Sequence, residues 1–273
     1  MANTYSIIIP TLNEEKFLPN LLESLMIQRE KNFEVIVVDG SSKDNTVAVA
    51  KSFAAKLPTL HVIKTKACLP LQRNEGTRHA SGEWFIFVDA DSVLMPYFME
   101  RVSAFIRKKH PSVFTTWFRS DSENPKDGVY TLFGDMYLEA TILFKKAHAP
   151  GPLTLVTRSA YNAVGGYDET HTFHEDVDFG QRLHKAGFQL DLLRETLYVW
   201  SLRRFRREGV LKVLNQYIVS ILPVVFLNTS WKRMPGYIMG GHPYDKKTKK
   251  AISKTNAQKF QRNLKKLLKD VFE

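Results

Sequence analysis

Four runs of β-branched and aromatic residues mark the first third of the chain: YSIIIP (5–10), FEVIVVDG (33–40), LHVIK (60–64) and EWFIFVDAD (83–91). None alternates strictly between polar and apolar, which predicts strands buried on both faces. After the first run, Phe17, Leu18, Leu21, Leu22, Leu25 and Met26 recur at the spacing of one helical face. Asn13 is expected as the N-cap of that helix, with Glu14 and Glu15 in its first turn. SSKDNTVAVAKSFAAK predicts a second helix, capped by the hydroxyl of Ser41 or Ser42, and QRNEGTRHASG a short third one closed by Gly82. Such alternation predicts an α/β fold with a mainly parallel central sheet and helices on both faces. Residues 112–150 are aromatic and mixed in pattern, and define no clear element. Further on, Gly165 and Gly166 mark a turn, and Phe179, Leu183 and Ala186 keep helical spacing until Gly187.

In open α/β sheets ligands bind beyond the carboxyl ends of the strands. Polar residues collect at those ends: Thr11, Asn13 and Glu14 after the first, Asp39 and Ser41 after the second, Asp89 and Asp91 after the fourth. In an extended strand Asp89 and Asp91 would share a face and repel each other. They either cap a turn before the helix near Met95 or hold a divalent cation, since Mg²⁺ takes one or two carboxylates plus substrate phosphates. Neither a G-x-G-x-x-G turn nor a P-loop is present, so no standard dinucleotide or ATP cradle is expected. A second cluster, Glu175, Asp176 and Asp178, opens a helix, where carboxylates gain from the helix dipole. Three acids in four residues also resist full ionisation together, which makes one of them a candidate general base. His171, His174 and His184 lie nearby, but Asp178 stands where H-E-x-x-H needs its second histidine, and no zinc site is expected.

The formal charge of +11 divides unevenly over the 273 residues. Residues 1–202 carry 22 Lys and Arg against 24 Asp and Glu, and residues 203–273 carry 17 against 4. This predicts a slightly acidic body over 1–202 and a basic, partly apolar, helical extension over 203–273 that meets an anionic surface. Arg203, Arg204, Arg206 and Arg207 open the extension; Ile218–Leu227, which includes Pro223, follows and is too short to span a bilayer. Near the end, Phe260, Leu264, Leu267, Leu268 and Val271 share a helical face, with Lys259, Arg262, Lys265, Lys266 and Lys269 around them. Such a helix either packs on the body or lies on an anionic membrane. No nucleic-acid motif accompanies the charge, so no nucleic-acid partner is expected. Cys68 is the one cysteine, which excludes an internal disulfide and fits a reducing compartment. With no basic-then-apolar leader at the start, a cytoplasmic protein is expected, with peripheral attachment to the inner face of the cell membrane.

SIIIPTLNEEKFLPNLLESL, EVIVVDGSSKDNT, RNEGTRHASGEWFIFVDADS, GPLTLVTRSAYNAVGGYDE and HEDVDFGQRLHKAG, in that order over roughly 5–190, resemble the family 2 glycosyltransferases of the GT-A fold, which act on nucleotide-diphospho-sugars. The resemblance implies that Pro10, Thr11, Asn13, Glu14 and Asp39 line the pocket for base and ribose, with Asp39 accepting from the base. It implies that Arg73 approaches the nucleotide, and that Asp89 and Asp91 hold a Mg²⁺ or Mn²⁺ bridging the diphosphate. Where the family often has DDGS this chain has VDGS; Asp39 itself is retained. Asp176 is implied as the base that deprotonates an acceptor hydroxyl with inversion at the anomeric carbon, Glu175 helping to place the acceptor and Asp178 the alternative base. By a looser match Arg203, Arg204 or Arg206 would lie near the diphosphate. A UDP-sugar donor and a lipid-linked or polysaccharide acceptor of the cell envelope follow from the same resemblance. Two rival readings are a non-catalytic nucleotide-binding protein of this fold and a nucleotidyltransferase, which should lack the GGYDE…HED block.

Overall fold

Strands β1 (Tyr5–Thr11), β2 (Phe33–Asp39) and β4 (Trp84–Val88) are buried at every position, as their continuous apolar character requires. In the computed structural model, which describes residues 4–122, 125–143, 149–209, 212, 213, 215, 216 and 232, they form the centre of an eight-stranded sheet. With β3 (Leu60–Lys64), β5 (Ser92–Leu94), β6 (Val113–Ser120), β7 (Leu153–Thr157) and β8 (Leu190–Trp200), the order is β3-β2-β1-β4-β7-β6-β8-β5. The ladders of β1 with β2 and β4, of β2 with β3 and of β6 with β8 are parallel, but β7 and β5 run antiparallel to their neighbours. The sheet is therefore mixed, and the reversal has a purpose in space. Val88, the last residue of β4, pairs with Leu153, the first of β7, so the chain entering β7 lies at the edge where β1, β2 and β4 end.

Successive side chains in β1 point to opposite faces. Ile7 and Ile9 join a core with Val35, Val37, Ile86 and Val88, covered by α1 (Leu18–Met26) and α4 (Phe98–Lys109). Ile8 joins the other core with Ile36, Val38, Phe85 and Phe87, covered by α6 (Arg158–Ala163) and α7 (Glu175–Lys185). Helix α3 (Leu69–His79) packs on the same face through Gly76, where a Cβ would meet Ile8 Cγ2 at 2.4 Å. Two helix starts differ from expectation. Helix α1 begins at Leu18 with Phe17 in the N-cap position, and α2 (Thr46–Ser52) begins after Asn45. Asn13 and Ser41 have left-handed backbones, and their side chains are used elsewhere. The remaining helices are α5 (Pro125–Leu143), which resolves the weakly patterned middle, and α8 (Arg203–Glu208). Helix α8 packs on the body through Phe205, which stacks on Tyr130 at 5.8 Å, so the basic extension begins in contact with the sheet domain. The expected apolar stretch 218–227 and terminal amphipathic helix 259–271 lie outside the described residues. Among the described residues no helix is long and apolar enough to cross a membrane.

Away from the strand ends that gather polar residues, Glu34 of β2 is buried and accepts hydrogen bonds from Ser6 Oγ at 2.6 Å, Ser81 N at 2.6 Å and Ser81 Oγ at 2.8 Å. Burial alone would raise its carboxyl, but these hydrogen bonds to the ionised form outweigh it and hold the group below the usual glutamate range. Its stabilisation is present at neutral pH and lost as pH falls through the folded-state pKa. Glu34→Gln should therefore cost about 1.5–3 kcal/mol at neutral pH. In urea unfolding the deficit should shrink as pH falls through the lowered folded-state pKa, where the wild-type side chain becomes protonated too.

Candidate active site

The loops after β1 and β2 are tied to each other before any ligand is considered. Asp39, the last residue of β2, is fully buried; its Oδ2 accepts the Ser42 N–H at 3.0 Å and its Oδ1 faces the Thr11 hydroxyl at 3.4 Å. Asn13 donates its N–H to Ser42 Oγ and accepts the Lys43 N–H on Oδ1, both at 2.8 Å. This cross-loop exchange is why neither Asn13 nor Ser42 caps a helix. Gln72 of α3 completes the tie, its Nε2 donating to Thr11 O and Val38 O at 2.8 Å each. Sequence reasoning passed over Gln72, whose only signal was its place beside Arg73. Pro10 is buried within β1 beside these groups.

Asp89 and Asp91 do not stay in an extended strand. Ser92 N–H donates to Asp89 O at 3.0 Å, forming a tight turn, while Asp89 N–H donates to Pro152 O at 3.1 Å. The two carboxylates thereby reach different arginines. Asp89 Oδ1 lies 3.6 Å from Arg73 Nη2, and Asp91 Oδ2 lies 2.7 Å from Arg203 Nε. Arg203 also grips Glu14 in a bidentate pair, at 2.7 and 2.6 Å, and lies over the Phe17 ring at 4.3 Å. Of the three arginines named from sequence, Arg203 thus joins the cluster. Arg204 pairs with Glu208, and Arg206 with Asp121 and Asp127.

Arg73 lies beneath the acids and is 1% exposed. Its Nη1 donates to Glu175 Oε1 at 3.1 Å, its Nη2 to Gly151 O at 2.9 Å, and its guanidinium packs over the Tyr167 ring at 5.0 Å. Glu175 is therefore buried against Arg73, whereas its neighbour Asp176 is half-buried and accepts the Gly151 N–H on Oδ2 at 3.1 Å. A Cβ on Gly151 would stand 3.1 Å from that same oxygen, so the residue has no room to spare beside the carboxylate. Asn74, next to Arg73, anchors the GGYDE turn: it donates to Tyr167 O and accepts from Tyr167 N and the Tyr161 hydroxyl. Asp178 faces elsewhere, held by Arg182 Nε at 2.8 Å and 4.0 Å from His171 Nε2. His171 also meets Asp168 at 3.1 Å, and these three residues could together hold an ion, but Arg182 and Lys232 already pair with the two carboxylates. His174 sits at the N-terminus of α7 in a left-handed conformation, stacked on Phe173 at 4.1 Å.

Carboxylates of Glu14, Asp89, Asp91, Glu175 and Asp176 thus gather around two paired guanidiniums, Arg73 and Arg203. Burial pushes Asp89 up to about 7, opposed by Arg73 and reinforced by Asp91. Burial also pushes Glu175 up to about 7, with the charge of Asp176 adding and Arg73 opposing. Asp91 and Glu14 are raised by burial as well, against the pull of Arg203. The protein thus leaves negative charge under-compensated at the carboxyl ends of its strands, the condition in which a further cation is bound.

A mixed sheet of this order, with acids converging at the ends of β1 and β4, defines the GT-A fold of nucleotide-sugar transferases. The chain belongs to glycosyl transferase family 2, whose family model matches residues 6–165. It is 39% identical over 196 residues to a PGL/p-HBAD biosynthesis glycosyltransferase of Mycobacterium tuberculosis, covering 66% of this chain and 70% of that one. Among solved structures, Staphylococcus aureus TarS 1–349 in complex with UDP-GlcNAc superposes with a TM-score of 0.58 at 23% identity, over 74% of this chain and 58% of that one. The mannosyltransferase PcManGT of Pyrobaculum calidifontis, in complex with GDP-Man and Mn²⁺, gives 0.59 at 18% identity, over 80% and 65%. The chain spans 60% of the length of a Haemophilus influenzae glycosyltransferase and 36% of TarS.

Removing Arg73 would strand the buried Glu175 and the partly buried Asp89 without their counter-charge, a change that costs about 3–5 kcal/mol. Arg73→Met should lose stability of that order in guanidinium denaturation. Arg73→Lys should recover only part of it, because a single ammonium cannot serve Glu175 and Gly151 together with the geometry of a fork.

Proposed function

We propose that this enzyme transfers a sugar from a nucleoside-diphosphate donor to an acceptor hydroxyl with inversion of configuration, in the making of a lipid-linked or polysaccharide glycan of the cell envelope. The observation that carries the reading is the meeting of Asp89, Asp91 and Asp176 at one sheet edge, the first two at the end of a parallel strand and the third presented across Gly151. UDP is the favoured base carrier; the complex of TarS with UDP-GlcNAc and the name of the mycobacterial relative support this choice of donor and setting.

In this reading the loops bearing Pro10, Thr11, Asn13 and Asp39 receive the base and ribose, Asp39 turning one oxygen from its present loop contacts to the base. Asp89 and Asp91 would hold Mg²⁺ or Mn²⁺, which the under-compensated charge of the cluster fits. Such an ion stabilises the negative charge that develops on the departing diphosphate. Asp176 takes the acceptor proton: its Oδ2 is oriented by the Gly151 N–H and its carboxylate is not consumed by an arginine, as that of Glu175 is. The acceptor oxygen bonds to the anomeric carbon as the bond from that carbon to the diphosphate oxygen breaks. The electron pair leaves with the nucleoside diphosphate and the proton passes to Asp176. A single displacement inverts the anomeric centre, by the logic that governs inverting glycosidases. Glu175 and Arg73 act from below, fixing Gly151 and with it the direction of Asp176. Glu14 acts through Arg203. The reaction takes place at the cytoplasmic face of the cell membrane.

Asp176→Asn should lower kcat by about 10²–10⁴-fold, the range of a lost general base, while UDP still raises the melting temperature in the presence of Mn²⁺. Loss of both activity and nucleotide binding would assign Asp176 to the donor pocket instead. Because Arg203 occupies Asp91, Arg203→Gln should tighten binding of Mn²⁺ alone by about tenfold, given the strength of a charge pair at this range. The free-ion EPR signal reads this without any turnover; weaker binding in the variant would mean that Arg203 orients Asp91 for the ion rather than competing with it.

A further inference from the structure

Helix α5 is inside-out. Its inward positions carry Asp127, Leu138 and Thr141, all buried, together with Gly134, whose added Cβ would meet the Phe118 ring at 2.7 Å. Its outward positions carry Val129, Leu132, Phe133, Met136 and Leu143, with Leu132 60%, Phe133 63% and Met136 56% exposed. The outer residues fall three, four and seven apart, so they form one stripe along the helix. A helix whose outer face meets water has the reverse arrangement. A stripe of this size and chemistry marks an interaction surface.

The neighbours of the stripe say what it meets. Tyr130 stacks on Phe205 and Asp127 pairs with Arg206, so α8 is fixed beside the first turns of α5. Arg203, Arg204 and Arg206 of α8 are spent on carboxylates of the body, but the chain that continues from α8, residues 210–273, carries 13 Lys and Arg against 3 Asp and Glu. An apolar stripe flanked by the start of a strongly basic segment is complementary to a bilayer with anionic headgroups, where side chains of this kind enter the interface and cations meet the lipid phosphates. Helix α5 is also adjacent to the reaction centre. The charge of Asp176 reaches the hydroxyl of Tyr137, which lies on the flank of the stripe and is 38% exposed.

We infer that α5 is an interfacial membrane helix, seating the protein on an anionic bilayer through Val129, Leu132, Phe133, Met136 and Leu143. If Asp176 is the base, as proposed above, this seat places it beside the bilayer and the acceptor is a hydroxyl carried at the lipid surface; that last step rests on the glycosyl-transfer reading, and the seat itself does not.

The test is sedimentation of the full chain with phosphatidylcholine vesicles and with vesicles containing phosphatidylglycerol, comparing wild type, Leu132→Ser/Phe133→Ser and the milder Met136→Ser. The wild type should partition strongly onto the anionic vesicles and about tenfold less onto neutral ones. The double variant should lose about tenfold or more of that partition and Met136→Ser a smaller part, with melting temperatures unchanged because these side chains are exposed. Equal partition of all three proteins would overturn the inference, as would absence of wild-type binding to either vesicle. A wild-type dimer that the double variant splits, seen by analytical ultracentrifugation, would do so too and assign the stripe to a second copy of the chain. Thermal shift with UDP and Mn²⁺, run on the same samples, separates the two readings: no shift in any protein removes the donor assignment and leaves the vesicle result standing.

Discussion

Arg73 holds a positive charge where water does not reach, and the acids around it are tolerable in their positions because of it. A buried carboxylate without a partner either takes up a proton or destabilises the fold. Here one guanidinium serves Glu175, Asp89 and the carbonyl of Gly151 at once, and its flat face rests on Tyr167. Gly151 is thereby held at both ends of its peptide unit, its carbonyl by Arg73 and its N–H by Asp176. An arginine is suited to this because its donors form a rigid fork; a lysine offers a point charge on a flexible stem. Conventional salt-bridge arithmetic would credit the pair with stability, but its contribution is better described as geometry. It converts crowded negative charge into a set of fixed directions.

The second arginine has a different character. Arg203 bridges Glu14, which follows β1, and Asp91, which follows β4, and it comes from the helix just past the last strand. It is 14% exposed at its side chain against 1% for Arg73, and it sits at the outer side of the cluster. The two cations divide the work: Arg73 belongs to the foundation of the site, Arg203 to its rim. The antiparallel course of β7 makes the arrangement compact. By pairing Val88 with Leu153, the sheet brings Gly151 and Pro152 next to the aspartates of β4, so that residues distant in sequence share one edge.

Much of this was legible in the chain. The runs ending in Asp39 and Asp89 could only be strands buried on both sides, and parallel pairing aligned their polar ends as expected. The acidic helix start at Glu175 and its end at Gly187 were also legible, since period and turn residue agreed. What escaped was set by contacts from afar. Asn13 reads as a helix cap, but its amide is taken by Lys43, so the helix starts later. Strand β5 has three residues and exists because β8 pairs with it, which no local pattern could signal. Arg73, read as a nucleotide contact, lies buried below the acids, and Glu175, read as an acceptor contact, is buried against it, placements that only contacts distant in sequence decide. Helix α5 was illegible because most of its large apolar residues face outward, the opposite of the rule by which helices are read.

The sequence separations inside the cluster have a consequence of their own. The first four strands lie within residues 5–88 and pair with one another, but the Arg73–Glu175 contact joins residues 102 apart and the Arg203–Glu14 contact joins residues 189 apart. Contacts of long range form after local ones have reduced the entropy of closing the loop between them. A chain emerging from the ribosome with only its first strands folded has the tied loops after β1 and β2 but neither the buried Arg73–Glu175 pair nor the hydrogen bond between Gly151 and Asp176. The last strand and α8 must therefore dock before the acids at the ends of β1 and β4 gain both of their counter-ions.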